Sequence, residues 1–167
     1  YSLSAMLTVS INRVHFVGLA GAWRQYGQGA RISFAGTTGA SNIAVMKNTG
    51  VRNSFTNIKF DNESTITQCL YTVVEGGEYA LYTNCEIYNG KNLDNTNDAE
   101  LVWNGDSTQM VGCTVGSLAD KIAGSSIIRP CIQLTQGIAG AGTVCRDGLI
   151  KDTFLWRNSI ATRNTFI

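Results

Sequence analysis

The densest group of residues that could bind a cation lies between Asn92 and Glu100. Asp94, Asp98 and Glu100 stand there among asparagine and threonine side chains, so seven oxygen-bearing residues occupy nine positions. Calcium takes about six to eight oxygen ligands in proteins, so the composition suits a calcium site. The spacing differs from that of an EF-hand loop, which has glycine at its turn. A solvated surface loop is the alternative, and the sequence indicates no other cofactor.

The composition of the chain narrows the class of partner. Its 167 residues carry 13 Lys and Arg against 12 Asp and Glu, a net charge of +1. Because the sequence has no basic cluster, we expect no nucleic-acid partner. We also expect no membrane partner, because no apolar run reaches the roughly 18 residues of a spanning helix.

The two ends of the chain bear on its domain organisation. The sequence begins at Tyr1 without an initiator methionine or a leader-like segment, and its last residues have the pattern of a strand interior. The length suits one domain. We therefore interpret residues 1–167 as a single domain that is a piece of a longer chain.

Three segments align with one another and dictate how any site residues are positioned. They share a large apolar residue, then Thr or Val, Asn or Gly, Ile or Cys, and a further apolar residue. The aligned segments are residues 54–62, 81–89 and 109–117. Ile58, Cys85 and Cys113 occupy the same column and recur at nearly equal intervals. Strands and turns that recur together at a period of roughly 27–28 residues indicate a solenoid.

A second apolar run keeps the same period. Val74 and Val102 are separated by the same interval as Cys85 and Cys113, and each valine is soon followed by glycine. Leu134 continues the run after a somewhat longer interval, which is explained by an insertion between residues 117 and 127. Each coil of the solenoid is therefore predicted to contain at least two strands and two turns.

Alternation along the strands separates a core face from a solvent face. The residues predicted to face the core are apolar or small: Thr56, Ile58, Phe60, Thr83, Cys85, Ile87, Val111, Cys113 and Val115, with Thr153 and Leu155 following the last two. The residues predicted to face outward are mostly polar: Asn57, Lys59, Asp61, Asn84, Glu86 and Tyr88. Because equivalent residues of adjacent coils stack about 4.8 Å apart, Lys59 and Glu86 are predicted to pair on the outer surface.

Cysteine and histidine usage gives little support for catalysis or zinc binding. Cys85 and Cys113 follow Ile58 in one predicted inward column, so we expect both to be reduced and buried. An odd total of five cysteines with core thiols suits maturation in a reducing compartment. There is no Cys-x-x-Cys pair, and the single histidine, His15, falls on the outward side of a predicted strand, where a solvated role is usual.

These features resemble the right-handed parallel β-helix, or pectin-lyase-like, superfamily. The resemblance covers most of the chain and rests on the period, the inward ladders and asparagines at strand ends, namely Asn62, Asn89 and Asn104. It implies an all-β fold, a single right-handed parallel β-helix of about five to six coils of roughly 27–32 residues. The superfamily includes secreted pectate and pectin lyases, polygalacturonases, phage tailspikes and other virion surface proteins, so the fold does not choose a function.

The catalytic motifs that the resemblance implies for the enzymes are missing. The segment Asn95-Thr96-Asn97 lacks the aspartate of the polygalacturonase-like Asn-Thr-Asp motif, and no Asp-Asp, Gly-His-Gly or Arg-Ile-Lys follows. Arg129 or Arg146 could serve as the arginine of a pectate-lyase-like site, but no spacing fixes either beside the acidic loop. No catalytic residue is assigned, and a non-enzymatic role is favoured.

The predicted function is that of a structural β-helix segment in a phage or virion surface protein, such as a tail fibre, tailspike or capsid-decorating protein. Its predicted partners are other virion subunits or copies of itself, with a homotrimer as one form, and a surface polysaccharide. Its predicted location is a virion assembled in the bacterial cytoplasm, with secretion as the alternative. A polysaccharide lyase or glycoside hydrolase remains open. So does a non-catalytic glycan-binding module that uses outward Tyr88, Trp103 or Trp156 as sugar platforms.

Overall fold

A computed structural model describes residues 1–19, 30–34, 43–62, 71–88, 99–117, 132–134 and 147–157. Within these ranges the chain forms β-strands and no helix. The strands in chain order are β1 (Ser2–Leu3), β2 (Leu7–Val9), β3 (His15–Val17), β4 (Ala30–Phe34), β5 (Ala44–Asn48), β6 (Ser54–Thr56), β7 (Ile58–Asn62), β8 (Tyr71–Glu75), β9 (Leu81–Thr83), β10 (Glu86–Tyr88), β11 (Ala99–Trp103), β12 (Gln109–Val111), β13 (Thr114–Ser117), β14 (Ile132–Leu134), β15 (Leu149–Lys151) and β16 (Phe154–Arg157).

The strands follow one another around three parallel sheets in a fixed cycle. Sheet A has the strand order β1-β4-β7-β10-β13-β16, sheet B the order β14-β11-β8-β5-β2, and sheet C the order β15-β12-β9-β6-β3. Each strand therefore pairs with the strand three places along the chain, and the pairing is parallel throughout. The described residues thus build a parallel β-helix of about five coils, which confirms the predicted fold.

Equivalent residues of successive coils stack in ladders inside sheet A. Ile87 in β10 pairs in register with Phe60 on one side and Val115 on the other. Two residues earlier in each coil, Ile58, Cys85 and Cys113 form one buried column. Leu155 continues the ladder beside Val115, as the sequence predicts. No coil could bury these side chains alone, so the stacking itself supplies the core.

The inner face of sheet C is built from stacked aromatic rings. Phe55 lies between Phe16 and Tyr82, with ring centroids 5.3 Å and 4.9 Å apart and interplanar angles of 8° and 19°. Phe60 from sheet A meets the Phe55 ring edge-on at 6.0 Å. Met110 follows Tyr82 in the same column and is fully buried. Stacked and edge-on rings stabilise a core beyond their buried area, so sheets A and C are joined firmly.

The chain turns from sheet C into sheet A at a single left-handed residue in each of four coils. These residues are Asn57, Asn84, Gly112 and Asp152, with φ of 56°, 50°, 65° and 50°. The backbone N–H of Asn57 donates to the Thr83 oxygen, and that of Asn84 to the Val111 oxygen, each at 3.0 Å. Asn, Asp and Gly adopt this conformation most readily, which explains the Asn/Asn/Gly column of the sequence.

The predicted orientation of the residues just before this turn is wrong. The three residues predicted to face the core there are only half-buried: Thr56, Thr83 and Val111. The core positions belong to their predecessors: Phe55, Tyr82 and Met110. Because the left-handed residue ends one strand and the next strand starts in a different sheet, the alternation of faces does not continue through it.

The chain turns from sheet B into sheet C at a three-residue segment that we name the B–C corner. It comprises residues 11–13, 50–52, 77–79 and 105–107 in successive coils. The third residue is left-handed in each: Arg13, Arg52, Tyr79 and Ser107, with φ of 60°, 59°, 56° and 53°. The first residue is glycine in three of the coils, because a Cβ on Gly77 would collide with the Gly50 carbonyl, and one on Gly105 with the Gly77 carbonyl. Close stacking of coils at this corner therefore requires glycine.

One predicted register is wrong by a single residue. Leu134 pairs with Trp103, whereas Val102 pairs with Gln133 and, on the other side, with Val74. The interval before β14 is longer than the others, so the spacing alone does not fix which residue stacks on which. Register there is set by the strand pairing itself.

Candidate functional site

The predicted calcium ligands are only partly within the described residues. Asp94 and Asp98 lie outside the described ranges, whereas Glu100 lies in β11 and is buried. Among the described residues, no group of three or more His, Cys, Asp and Glu side chains is placed to hold a metal ion. The calcium site therefore stays a prediction.

Two of the three aromatic residues predicted as outward sugar platforms are buried. Trp103 is 2% exposed, packs in the main core and donates its Nε1–H to the Gly105 carbonyl oxygen at 3.1 Å. Tyr88 is also 2% exposed, with the Lys59 Nζ 5.1 Å from its ring centroid. The expectation that these two rings face solvent is wrong: Trp103 shares the inward face of β11 with Leu101, and the outer side of sheet A at Tyr88 is covered. Trp156 pairs with Gly116 in register, and its side chain lies outside the described part of the chain.

A network of buried polar side chains lies beside the B–C corner, on its core side. At its centre is Glu75 in β8, which is fully buried. Asn48 Nδ2 donates to both carboxylate oxygens at 3.0 Å, the Tyr82 hydroxyl donates to Oε2 at 2.5 Å, and the Gly77 N–H donates to Oε1 at 2.6 Å. The carboxylate thus receives four hydrogen bonds from two adjacent coils, which compensates much of the cost of its burial.

The network extends from Glu75 into the first coil. Asn48 Oδ1 accepts hydrogen bonds from Asn53 Nδ2 at 2.8 Å and from the Gly50 N–H at 3.2 Å. Asn53 Nδ2 also donates to the Ile11 carbonyl at 2.9 Å, and its Oδ1 accepts from the Val14 N–H at 2.9 Å. We name Asn48, Asn53, Glu75 and Tyr82 the core polar network. Its hydrogen bonds join three successive coils, so it fixes their register.

Burial dominates the electrostatics of the core polar network. It raises the pKa of Glu75 from 4.5 to about 7, against the opposing effect of the hydrogen bonds from Tyr82, Asn48 and Gly77. Burial, and then the charge of Glu75, raise the pKa of Tyr82 well above its ordinary value, so this phenol remains a donor. Glu75 is therefore close to its titration midpoint near neutral pH.

The two thiols predicted to be reduced and buried are so. Cys85 and Cys113 are free and lie in the main core. The Cys85 Sγ–H donates to the Phe55 carbonyl oxygen at 3.2 Å, and that of Cys113 to the Tyr82 carbonyl oxygen at 3.4 Å. The neighbouring Cys113 thiol, and then burial, raise the pKa of Cys85 well above its ordinary value. Burial keeps both thiols away from reactive partners, and the raised pKa further lowers the reactivity of Cys85, so these thiols are structural.

A second group of polar residues lies on the outer face of sheet A, and we name it the sheet A cluster. It comprises Arg31 in β4, Lys59 and Asp61 in β7, and Glu86 and Tyr88 in β10. Arg31, Lys59 and Glu86 are register neighbours, and Asp61 and Tyr88 form the adjacent column. An Arg31 guanidinium nitrogen lies 2.9 Å from an Asp61 carboxylate oxygen, and Lys59 Nζ lies 3.7 Å from the same oxygen. Two cations, two carboxylates and a phenol thus meet on three adjacent coils.

One carboxylate oxygen of Glu86 is buried without a hydrogen bond. Its side chain is 4% exposed, and Oε1 accepts no hydrogen bond within the described part of the chain. Burial raises the pKa of Glu86, the charge of Lys59 lowers it, and that of Asp61 raises it again. The predicted exposed ion pair between Lys59 and Glu86 is wrong: the two residues are register neighbours, but Glu86 is buried and Lys59 pairs with Asp61. A carboxyl group with a raised pKa can act as a general acid if a substrate reaches it.

The core polar network is the feature that sequence reasoning missed. The signal for it is the repeat itself, because Asn48 and Glu75 are one coil apart in sequence and pair in register in β5 and β8. Two polar residues at equivalent positions of an otherwise apolar strand indicate a buried pair. The sheet A cluster was in part visible, since Lys59, Asp61, Glu86 and Tyr88 are in the predicted outward set.

Comparisons with protein-family models, with curated proteins and with solved structures found no match to this chain. In the described ranges no helix is long and apolar enough to cross a membrane. Function has therefore to be argued from the fold and from the groups described above.

Proposed function

We propose that this chain is a structural β-helix segment of a phage or virion surface protein, such as a tail fibre, a tailspike or a capsid-decorating protein. The observation that carries the proposal is the continuous core, in which in-register ladders and stacked rings run from coil to coil. A solenoid of this kind is a stiff rod whose length grows with each coil, and rods of that kind suit fibres and spikes.

Two further observations support a structural role. Arg31, Lys59 and Asp61, which could otherwise serve a ligand, are engaged in ion pairs with one another. The free, buried thiols of Cys85 and Cys113 suit a protein assembled in a reducing compartment such as the bacterial cytoplasm. The partners under this proposal are other virion subunits or copies of the same chain, with a homotrimer as one arrangement.

Labelling of particles tests the structural proposal. An antibody raised against the purified chain should decorate the surface of virus particles released from cells that encode it, as seen by electron microscopy. The same antibody absorbed with the purified chain is the control and should leave the particles bare. Label confined to cell extracts or culture medium, with none on particles, would contradict the proposal.

The second candidate function is cleavage of a polysaccharide by a lyase or glycoside hydrolase. The observation that favours it is the sheet A cluster, where Glu86, with its raised pKa, lies on the coil next to Asp61. A pair of carboxyl groups, one acting as acid and the other as base or nucleophile, is the usual equipment of a glycoside hydrolase. The near-complete burial of both side chains stands against access by a polymer.

Incubation with pectin, alginate and bacterial capsule distinguishes the two candidates. A structural segment should produce no new reducing or unsaturated ends. If such ends form, Glu86→Gln and Asp61→Asn should abolish their formation, and Asp152→Asn, at an exposed carboxylate in the turn before β16, should not. Cleavage with that dependence would replace the structural proposal by the enzymatic one.

A further inference from the structure

The B–C corner presents two arginine side chains in neighbouring coils. The Arg13 N–H donates to the Val51 carbonyl oxygen at 2.9 Å, so Arg13 and Arg52 occupy equivalent positions one strand spacing, about 4.8 Å, apart. Both are exposed and both have the left-handed backbone conformation, with φ of 60° and 59°. Asparagine or glycine would fit this conformation better, so the backbone alone does not account for arginine.

Among the described residues, no ion pair neutralises the charges of these two arginines. In the part of the chain that the structure describes, neither guanidinium forms an ion pair with a carboxylate, and the described ion pairs lie on sheet A. Arg52 instead places its guanidinium carbon 5.5 Å from the centroid of the Tyr79 ring. Like charges at equivalent positions of adjacent strands destabilise the fold, and an anion bound between them would remove that repulsion.

The arginines line a depression of about 660 Å³. Its lining residues are Asn12, Arg13, Val51, Arg52, Glu78 and Tyr79. The Val51 N–H donates to Asn12 Oδ1 at 2.8 Å, and the Arg52 N–H donates to the Glu78 carbonyl oxygen at 2.8 Å. These bonds hold the backbone in place before any ligand arrives, so little ordering would accompany binding.

We propose that this depression binds a carboxylate-bearing sugar residue, such as a uronic acid unit of an acidic polysaccharide. The planar guanidinium groups of Arg13 and Arg52 match a carboxylate in geometry and charge. The Tyr79 ring, which is 53% exposed, offers an apolar surface for the sugar ring, and the Glu78 carboxylate accepts hydrogen bonds from sugar hydroxyls. Two cations on a chain of net charge +1 suit one anionic group and not the phosphate row of a nucleic acid. The site does not depend on the structural role proposed above.

Calorimetric titration with oligogalacturonate at low salt tests the site. We expect saturable binding of oligogalacturonate and no measurable binding of a neutral maltooligosaccharide of equal length. Arg13→Gln and Arg52→Gln should each weaken binding by about tenfold or more, because each removes charge-assisted hydrogen bonds. Lys151→Gln, which removes an exposed positive charge on β15, is the matched control and should leave the affinity unchanged.

Other ligands and one further variant separate the alternatives. Glu78→Gln should tighten binding of oligogalacturonate, because it removes a negative charge from the lining of the depression and keeps an amide oxygen that accepts from sugar hydroxyls. Binding of inorganic sulfate as tight as that of the oligosaccharide would overturn the assignment of a sugar. Equal binding of the neutral oligosaccharide, tighter binding of single-stranded DNA, or insensitivity to both arginine variants would each overturn the proposal. Backbone amide shifts at Val51 and Arg52 on titration locate the ligand independently of affinity.

Discussion

Glu75 and Glu86 are both buried carboxyl groups on neighbouring coils, but their surroundings differ. Glu75 lies inside the solenoid and receives four hydrogen bonds, from Asn48, Tyr82 and Gly77. Glu86 lies on the outer face of sheet A, where its Oε1 accepts no hydrogen bond within the described residues. Burial raises the pKa of both groups. Burial therefore disfavours the charged form at both sites, but only at Glu75 do hydrogen bonds reach both carboxylate oxygens.

The difference shows what each carboxyl group does for the fold. Removing a side chain that satisfies several buried donors leaves those donors without partners, which is expensive. Removing a side chain that is itself unsatisfied relieves a cost. The interior carboxyl group therefore maintains the stacking of coils, whereas the outer one is retained at some expense to stability. Groups kept at such expense are candidates for a functional role.

Replacing Glu75 is expected to have the largest effect on the free energy of unfolding. Glu75→Ala should lower the free energy of unfolding by about 3–5 kcal/mol, because the donors of Asn48, Tyr82 and Gly77 lose their acceptor in a dry core. Glu86→Ala should change it by no more than about 1 kcal/mol in either direction. Urea denaturation of both variants beside the wild type measures the difference.

Should Glu75→Ala fail to fold, Glu75→Gln provides the same test in milder form. It keeps the shape and one acceptor oxygen, so we expect a loss of about 1–3 kcal/mol. Equal losses for Glu75→Gln and Glu86→Gln would contradict the contrast between the two sites.

The pH dependence of stability should follow the titration of Glu75. Its folded-state pKa of about 7 lies above its ordinary value of 4.5, so the protonated form is the one that folding favours. The associated stability is fully present below pH 4.5 and is lost as the pH rises through 7. The free energy of unfolding should therefore fall by about 3 kcal/mol across this range. Urea denaturation between pH 4 and 8 measures it.

Two variants show which carboxyl group causes the pH dependence of the free energy of unfolding. Glu75→Gln should remove most of the pH dependence, whereas Glu86→Gln should leave most of it, because Glu86 is partly neutralised by Lys59. If the pH dependence of the free energy of unfolding were unchanged in Glu75→Gln, a different group would be the one whose pKa changes on folding.

Removing the Tyr82 hydroxyl is expected to have a smaller effect on the free energy of unfolding. Tyr82→Phe keeps the ring that stacks 4.9 Å from Phe55 but deletes the donor to Glu75 Oε2. We expect a loss of about 1–2 kcal/mol above pH 7 and a smaller one at pH 4, because the ionised carboxylate is the form that needs the donor. The pKa of Glu75 should rise further in this variant, and a carbon-detected NMR titration of the side chain would show it. An unchanged or lowered pKa would contradict the assignment of the hydroxyl as donor.

The fold could be predicted from the sequence because the repeat encodes it. Apolar residues recur at each core position of sheet A, so Ile58, Cys85 and Cys113 reveal both the period and the inward face. The left-handed turn after Thr56 was missed because alternation was carried through Asn57, although the Asn/Asn/Gly column at that position is the signature of such a turn.

The polar groups could be predicted only in part. Burial of Glu86 and Tyr88 follows from what covers sheet A, which periodicity within a strand does not encode. The hydrogen bonds of Glu75 depend on three-dimensional neighbours from two coils, and only the one-coil spacing to Asn48 hints at them. The arginines of the B–C corner carry no signal in the sequence, and their adjacency emerges only once coils are stacked.

The smallest expected effect concerns Lys59, which pairs with Asp61 and whose charge lowers the pKa of Glu86. Lys59→Met keeps the aliphatic part of the side chain and removes a charge that lies 3.7 Å from Asp61 and 5.1 Å from the Tyr88 ring centroid. Because Asp61 retains Arg31 at 2.9 Å, the loss should be about 0.5–1 kcal/mol at neutral pH. The pKa of Glu86 should rise further, since Lys59 is the charge that lowers it. NMR titration of the Glu86 carboxyl measures its pKa, with Lys47→Met in β5 as the control. An unshifted Glu86 would show that Lys59 does not act on it and that burial and the charge of Asp61 set its pKa.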